Sequence, residues 1–138
     1  MVLERLDVAS GALPRQSGAV VGAGGAGTTL QAGDILNGGD GSDSLLISAT
    51  GAAGAYSLLG VQSSGIETIS VNDFTNAGVV TIDGALISGV TSYILNASGA
   101  DGDVTFSNAG AIASAKMSNG TGDLTINYTA AASAGTAD

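Results

Sequence analysis

Gly38-Gly39-Asp40-Gly41-Ser42-Asp43-Ser44-Leu45 is the stretch that decides how this 138-residue chain folds. Three glycines in four positions let the backbone enter φ > 0 and turn carbonyl oxygens toward one side. Asp43 adds a carboxylate, and Leu45-Leu46-Ile47 then begins an apolar run of strand character. Working backward, Asp34 stands nine residues before Asp43 and Leu36 nine before Leu45, so a turn-then-strand unit occurs twice in succession.

The stretch fits the nine-residue pattern G-G-x-G-x-D-x-U-x, with Asp43 in the acidic position and Leu45 in the large apolar one. Calcium takes six to eight oxygens in flexible geometry, so carbonyls from one turn and a carboxylate from the next suit it. The spacing predicts a calcium site made of Asp34, Gly39, Gly41 and Asp43, with Asp40 as an additional candidate ligand. The competing reading is a plain Gly/Asp turn between two strands.

Beyond this turn, short β-branched segments recur: Thr68-Ile69, Val80-Thr81-Ile82, Tyr93-Ile94-Leu95, Val104-Thr105-Phe106, Lys116-Met117 and Leu124-Thr125-Ile126. Each is followed by Asn, Asp, Ser or Gly, and their spacings run from nine to thirteen residues. Such spacing suits a sandwich of short hairpins or the coils of a solenoid. Asp101-Gly102 and Asn119-Gly120 would serve as hairpin turns, but most connections are longer and the segments share one composition, as stacked rungs do. The expected fold is all-β, a parallel β-solenoid of β-roll or β-helix type with short Gly/Asp/Asn-rich turns. Residues 30–129 would form it, 1–29 an N-terminal arm or linker, and 130–138 a poorly ordered small-residue tail. Residues 18–28 read equally as a flexible linker or as a first coil.

Composition sets the remaining bounds. Gly, at 23 residues, is about twice or more the usual share of about 7%. Three basic residues, Arg5, Arg15 and Lys116, face twelve acidic ones, for a formal charge of −9. Phosphate contacts need clustered Lys and Arg, so nucleic acid is excluded as a partner, and bound cations would relieve the self-repulsion. The apolar runs fall well short of the roughly 20 residues of a bilayer span, so no membrane insertion is expected. The first 17 residues lack the apolar core of a secretory signal, so an exported protein would use a route without a cleaved N-terminal signal, or this chain is a fragment or mature form.

Leu36-Asn37-Gly38-Gly39-Asp40-Gly41-Ser42-Asp43-Ser44-Leu45, followed by Ser64-Gly65-Ile66-Glu67-Thr68-Ile69-Ser70-Val71, resembles the calcium-dependent surface-layer and RTX-type proteins of Gram-negative bacteria. The resemblance covers residues 30 to about 128. It implies a calcium-stabilised solenoid, secretion by a type I system with an uncleaved C-terminal signal, and self-assembly into a lattice or fibre at the cell surface. Ser44 stands where the family has Thr. With one full nonapeptide, the resemblance implies one or two ions rather than a dense ladder.

Other signals are weaker. Asp101-Gly102-Asp103 and Asn72-Asp73 read as solvated turn residues that could add calcium oxygens. Thr68, Thr81, Thr105 and Thr125 would form one outward column, interrupted by Tyr93 and Lys116, of a kind that suits ice, glycan or a cell-surface polysaccharide. The chain has no His and no Cys, which removes the commonest general base, the usual nucleophile pairs and the usual zinc ligands. An Asp101/Asp103 carboxylate pair is the remaining catalytic possibility, and the expectation is a structural protein that is not an enzyme.

Overall fold

Strand formation follows the period-2 alternation of apolar and small polar residues. The computed structural model describes residues 6–7, 15–21, 30–51, 56–75 and 78–133. Its strands are β1 (Leu6–Asp7), β2 (Arg15–Val21), β3 (Ile35–Asn37), β4 (Ser44–Gly51), β5 (Tyr56–Leu58) and β6 (Gln62–Ser64). They continue as β7 (Thr68–Thr75), β8 (Val79–Asp83), β9 (Ser92–Ser98), β10 (Asp103–Ala109), β11 (Ser114–Met117) and β12 (Leu124–Tyr128), followed by the short helix α1 (Ala130–Ser133).

Every strand pairing is parallel. The strands stack into three sheets: β1-β3-β6 (sheet 1), β2-β4-β7-β9-β11 (sheet 2) and β5-β8-β10-β12 (sheet 3). The chain visits the sheets in turn, which makes it a parallel β-solenoid of about four turns. Neither Asp101-Gly102 nor Asn119-Gly120 joins a hairpin; both lie at corners between sheet 2 and sheet 3. The described parts of the N-terminal stretch belong to the sheets, since Leu6 pairs with Leu36 and Arg15 with Ser44. The remainder of 1–29, including 22–28 of the linker or first coil, and residues 134–138 of the tail lie outside the described residues.

One coil is longer than the recurrence seen in the sequence. Ser44 pairs with Thr68 and Thr68 with Ser92, a step of 24 residues that also separates the hydrogen-bonded Asn72 and Asn96. Spacings of nine to thirteen residues therefore lead from one sheet to the next within a coil. The expected threonine column divides accordingly. Thr68 stacks with Ser44 and Ser92 in sheet 2, while Ser57, Thr81, Thr105 and Thr125 stack in register in sheet 3. Tyr93 belongs to neither column. It points inward at 2% exposure and stacks on Phe106 of sheet 3, with ring centroids 4.0 Å apart.

Inward positions form vertical columns: Leu45-Ile69-Tyr93 and Ile47-Val71-Leu95 from sheet 2, Val80-Val104-Leu124 and Ile82-Phe106-Ile126 from sheet 3. A slip of one residue would turn each column to solvent, so the inward set pins the register. Asp73 occupies an inward position on β7 at 0% exposure, so it is not the solvated turn residue its sequence context suggests. Asp101 is exposed in a turn and Asp103 opens β10, so the two do not share a strand face.

Corners allow the coils to approach closely. Gly38, Gly65 and Gly89 stack between sheets 1 and 2; a Cβ on Gly38 would collide with the Gly65 carbonyl oxygen, and one on Gly65 would lie 2.8 Å from that of Gly39. Gly38→Ala is therefore expected to destabilise the fold by about 3 kcal/mol, as forced overpacking does. Gly110→Ala, where nothing lies within 4 Å of the added carbon, should be close to neutral. Chemical denaturation of the two variants checks the contrast.

Candidate functional site

The loop 38–43 carries the chain from sheet 1 to sheet 2. Asn37 Oδ1 accepts from the Gly39 N–H (3.0 Å), and the Gly38 N–H donates to the Ser64 carbonyl (2.9 Å). Gly39 and Gly41 hold φ of 85° and 131°, values that a side chain would strain. The equivalent corners of the next two coils are the shorter Gly65-Ile66-Glu67 and Gly89-Val90-Thr91. Ile35 accordingly pairs with Gln62 at a step of 27, and the surplus residues Asp40, Gly41 and Ser42 are exposed.

Asp43 closes the loop and anchors the coil above. Its carbonyl accepts from the N–H groups of Glu67 and Thr68 (both 3.1 Å), and its own N–H donates to Glu67 Oε2 (2.6 Å). The same corner repeats: the Glu67 carbonyl accepts from Thr91 and Ser92, and that of Thr91 from Ala113 and Ser114. Asp43, Glu67 and Thr91 are thus three successive members of one column.

The Asp43 carboxylate is the anomaly of this corner. The residue is 2% exposed, and neither side-chain oxygen has a hydrogen-bond partner among the described residues. Its Cβ lies 2.8 Å from the position a Gly38 Cβ would take, the same point that the Gly65 carbonyl oxygen crowds, and its Oδ2 faces Gly41. A buried carboxylate costs several kcal/mol unless a charge or hydrogen bonds compensate it.

The candidate ligand atoms of this corner are oxygens: the Asp43 carboxylate, Glu67 Oε2 on the Asp43 N–H, the Gly65 carbonyl crowding the Gly38 position, and the Gly39 carbonyl crowding that of Gly65. Such a set fits a hard cation of the calcium type. No group of three or more His, Cys, Asp or Glu side chains is placed to hold a metal among the described residues. A cation at this corner would therefore rest on two carboxylates and on main-chain oxygens.

Of the residues marked out in the sequence, Asp43, Gly39 and Gly41 are brought together in this loop. Asp40 is exposed on its outer side. Asp34 sits at the preceding corner, ahead of β3, where its Oδ2 accepts from the Gln31 N–H (2.8 Å) and its carbonyl from Gln62. A nine-residue step is about a third of this coil, which takes Asp34 to a different corner from Asp43. Glu67 is the site residue that sequence reasoning missed; reading the chain at a 24-residue period sets it directly over Asp43.

Comparison with protein-family models, curated proteins and solved structures finds no match to this chain.

In the presence of chelator, Asp43→Asn is expected to melt above the parent, because it removes a buried charge without altering side-chain shape. The gain should be about 1–3 kcal/mol. Thermal unfolding followed by circular dichroism measures it.

Proposed function

We propose that this chain is an extracellular structural protein of the bacterial cell surface that stacks with copies of itself into a layer or filament, stabilised by calcium at the Asp43 corner. One observation carries the assembly reading: the last described coil is exposed. All four residues of β11 are exposed, including Met117 at 50%, although Met117 continues the inward Ile47-Val71-Leu95 column. Leu124 and Ile126 of β12 are only partly buried, and Tyr128 is 46% exposed. An uncovered parallel edge with an apolar interior favours addition of another strand-bearing layer.

Calcium is supported by the unpartnered Asp43 carboxylate and the all-oxygen donor set. Asp43, Glu67, Gly39 and Gly65 would hold the ion, whose charge would compensate the buried carboxylate and tie one coil to the next. The surface-layer and type I secretion components rest on the resemblance of residues 36–45 and 64–71 to RTX-type proteins. No helix among the described residues is long and apolar enough to cross a membrane.

A second reading is favoured by the register of sheet 3. Ser57, Thr81, Thr105 and Thr125 stack as one hydroxyl column, repeating at about 4.8 Å, the spacing of neighbouring strands. Such a column suits ice or a regular polysaccharide. Binding to a glycan array that is lost on Thr81→Val and Thr105→Val, by a protein that stays monomeric, would favour this reading over assembly.

Two measurements test the main reading. Calcium at about a hundred times the Kd of this site should stabilise the parent by about 2.7 kcal/mol more than it stabilises Asp43→Ala; equal shifts would refute the site. Electron microscopy should show ordered assemblies with calcium, dispersed by chelator or by Met117→Lys. Unchanged monomers under every condition would refute assembly.

A further inference from the structure

The opposite corner of sheet 2 holds a second buried carboxylate with an unmet oxygen. Asp73 lies in register with Ala49 on one side and Ser98 on the other, fully buried. Thr75 fixes its carboxylate by donating both its N–H (2.9 Å) and its hydroxyl (2.7 Å) to Oδ1. Oδ2 is left without a partner among the described residues. The Ser98 hydroxyl, its neighbour in the next coil, accepts from the Gly122 N–H (2.9 Å).

The surroundings are closed and acidic. The Gly99 N–H donates to the Asp73 carbonyl (2.8 Å), and Gly102 is buried so tightly that a Cβ would collide with that same carbonyl oxygen. Asp103 follows directly, half-buried, with its Oδ1 accepting from the Asp123 N–H (2.8 Å). A shift in strand register after Val71, which pairs Asn72 with Ala97, brings Ser98 over Asp73. Bulges of this kind re-aim side chains and concentrate at sites.

Among the described side chains, none supplies a counter-charge. Between residues 30 and 133 the chain has one basic residue, Lys116, and it is exposed on β11. Burial raises the Asp73 carboxyl above its ordinary value; the Thr75 hydrogen bonds oppose this, and the charge on Asp103 adds to the rise. A dry, half-satisfied Asp73 carboxylate, with Asp103 following the Gly102 that packs against the Asp73 carbonyl, is a pairing that a shared cation would reconcile.

We propose a second cation site at this corner, held by the carboxylates of Asp73 and Asp103 and taking a hard divalent ion of the calcium type, with backbone oxygens or water as the remaining ligands. It is independent of the Asp43 corner: the two carboxylates stand at opposite ends of sheet 2, in successive coils. Together the two ions would pin both corners of the longest sheet.

Calcium titration calorimetry on chelator-treated full-length protein tests it. The parent should bind two ions, Asp73→Asn one, Asp43→Asn one and the double variant none. Asp73→Asn keeps the acceptor that Thr75 uses. Should it fail to fold, Asp103→Asn, which retains the acceptor for the Asp123 N–H, should likewise bind one ion. A parent that binds a single ion, lost in Asp43→Asn and kept in Asp73→Asn or Asp103→Asn, would overturn the second site and leave the first standing. Two ions retained in Asp73→Asn, or in Asp103→Asn where that variant carries the test, would overturn it equally. Loss of an ion in Asp73→Asn but not in Asp43→Asn would support the second site and refute the first.

Discussion

Backbone meets backbone at the corners of this solenoid, and the rest of the structure depends on that contact. Gly38, Gly65 and Gly89 stack between sheets 1 and 2, and Gly78, Gly102 and Gly122 occupy equivalent places before sheet 3, two residues ahead of Val80, Val104 and Leu124. Collision of a Cβ with the carbonyl of an adjacent coil forbids larger residues at Gly38, Gly102 and Gly122. Only with the corners this close can the strands keep ladder spacing along all three sheets.

The same closeness creates the electrostatic problem that the protein must meet. Where backbone fills the corner there is no room for a lysine or arginine, and the described coils have almost none to offer. Asp43 and Asp73 are nevertheless buried, each with at least one oxygen unmatched. Carboxylates kept in that condition are costly to stability. Their presence at the two ends of sheet 2, in a protein of net charge −9, is what the two proposed cation sites would account for.

Much of the fold was legible because local chemistry and global packing agree. The β-branched triplets became strands, Asp101-Gly102 and Asn119-Gly120 became corners, and Asn108 and Asn119 adopt the left-handed conformation (φ 50° and 55°) that suits that residue. The repeat Gly-x-Val/Leu-Thr-Ile/Phe at 78, 102 and 122 also marks successive coils, at steps of 24 and 20 residues, and it stands plainly in the sequence. It was obscured because sheets 2 and 3 are built from similar triplets, so the shorter step between faces imitates a repeat. Asp34 was drawn into the site by that step, and Glu67 was left out of it.

Sequence alone determined that this chain is all-β, turn-rich and stacked in parallel, because alternation, glycine and short polar exits act through neighbours along the chain. It also marked Asp43 as the carboxylate of a glycine turn. Tertiary structure decided which residues share a corner and which are dry. Tyr93 turned inward onto Phe106, Thr81 came to lie over Ser57, and Asp73 passed from an apparent turn to the interior. Those outcomes depend on the length of a full coil and on the register between coils, both set by close packing of residues about 24 positions apart, beyond the reach of any local pattern.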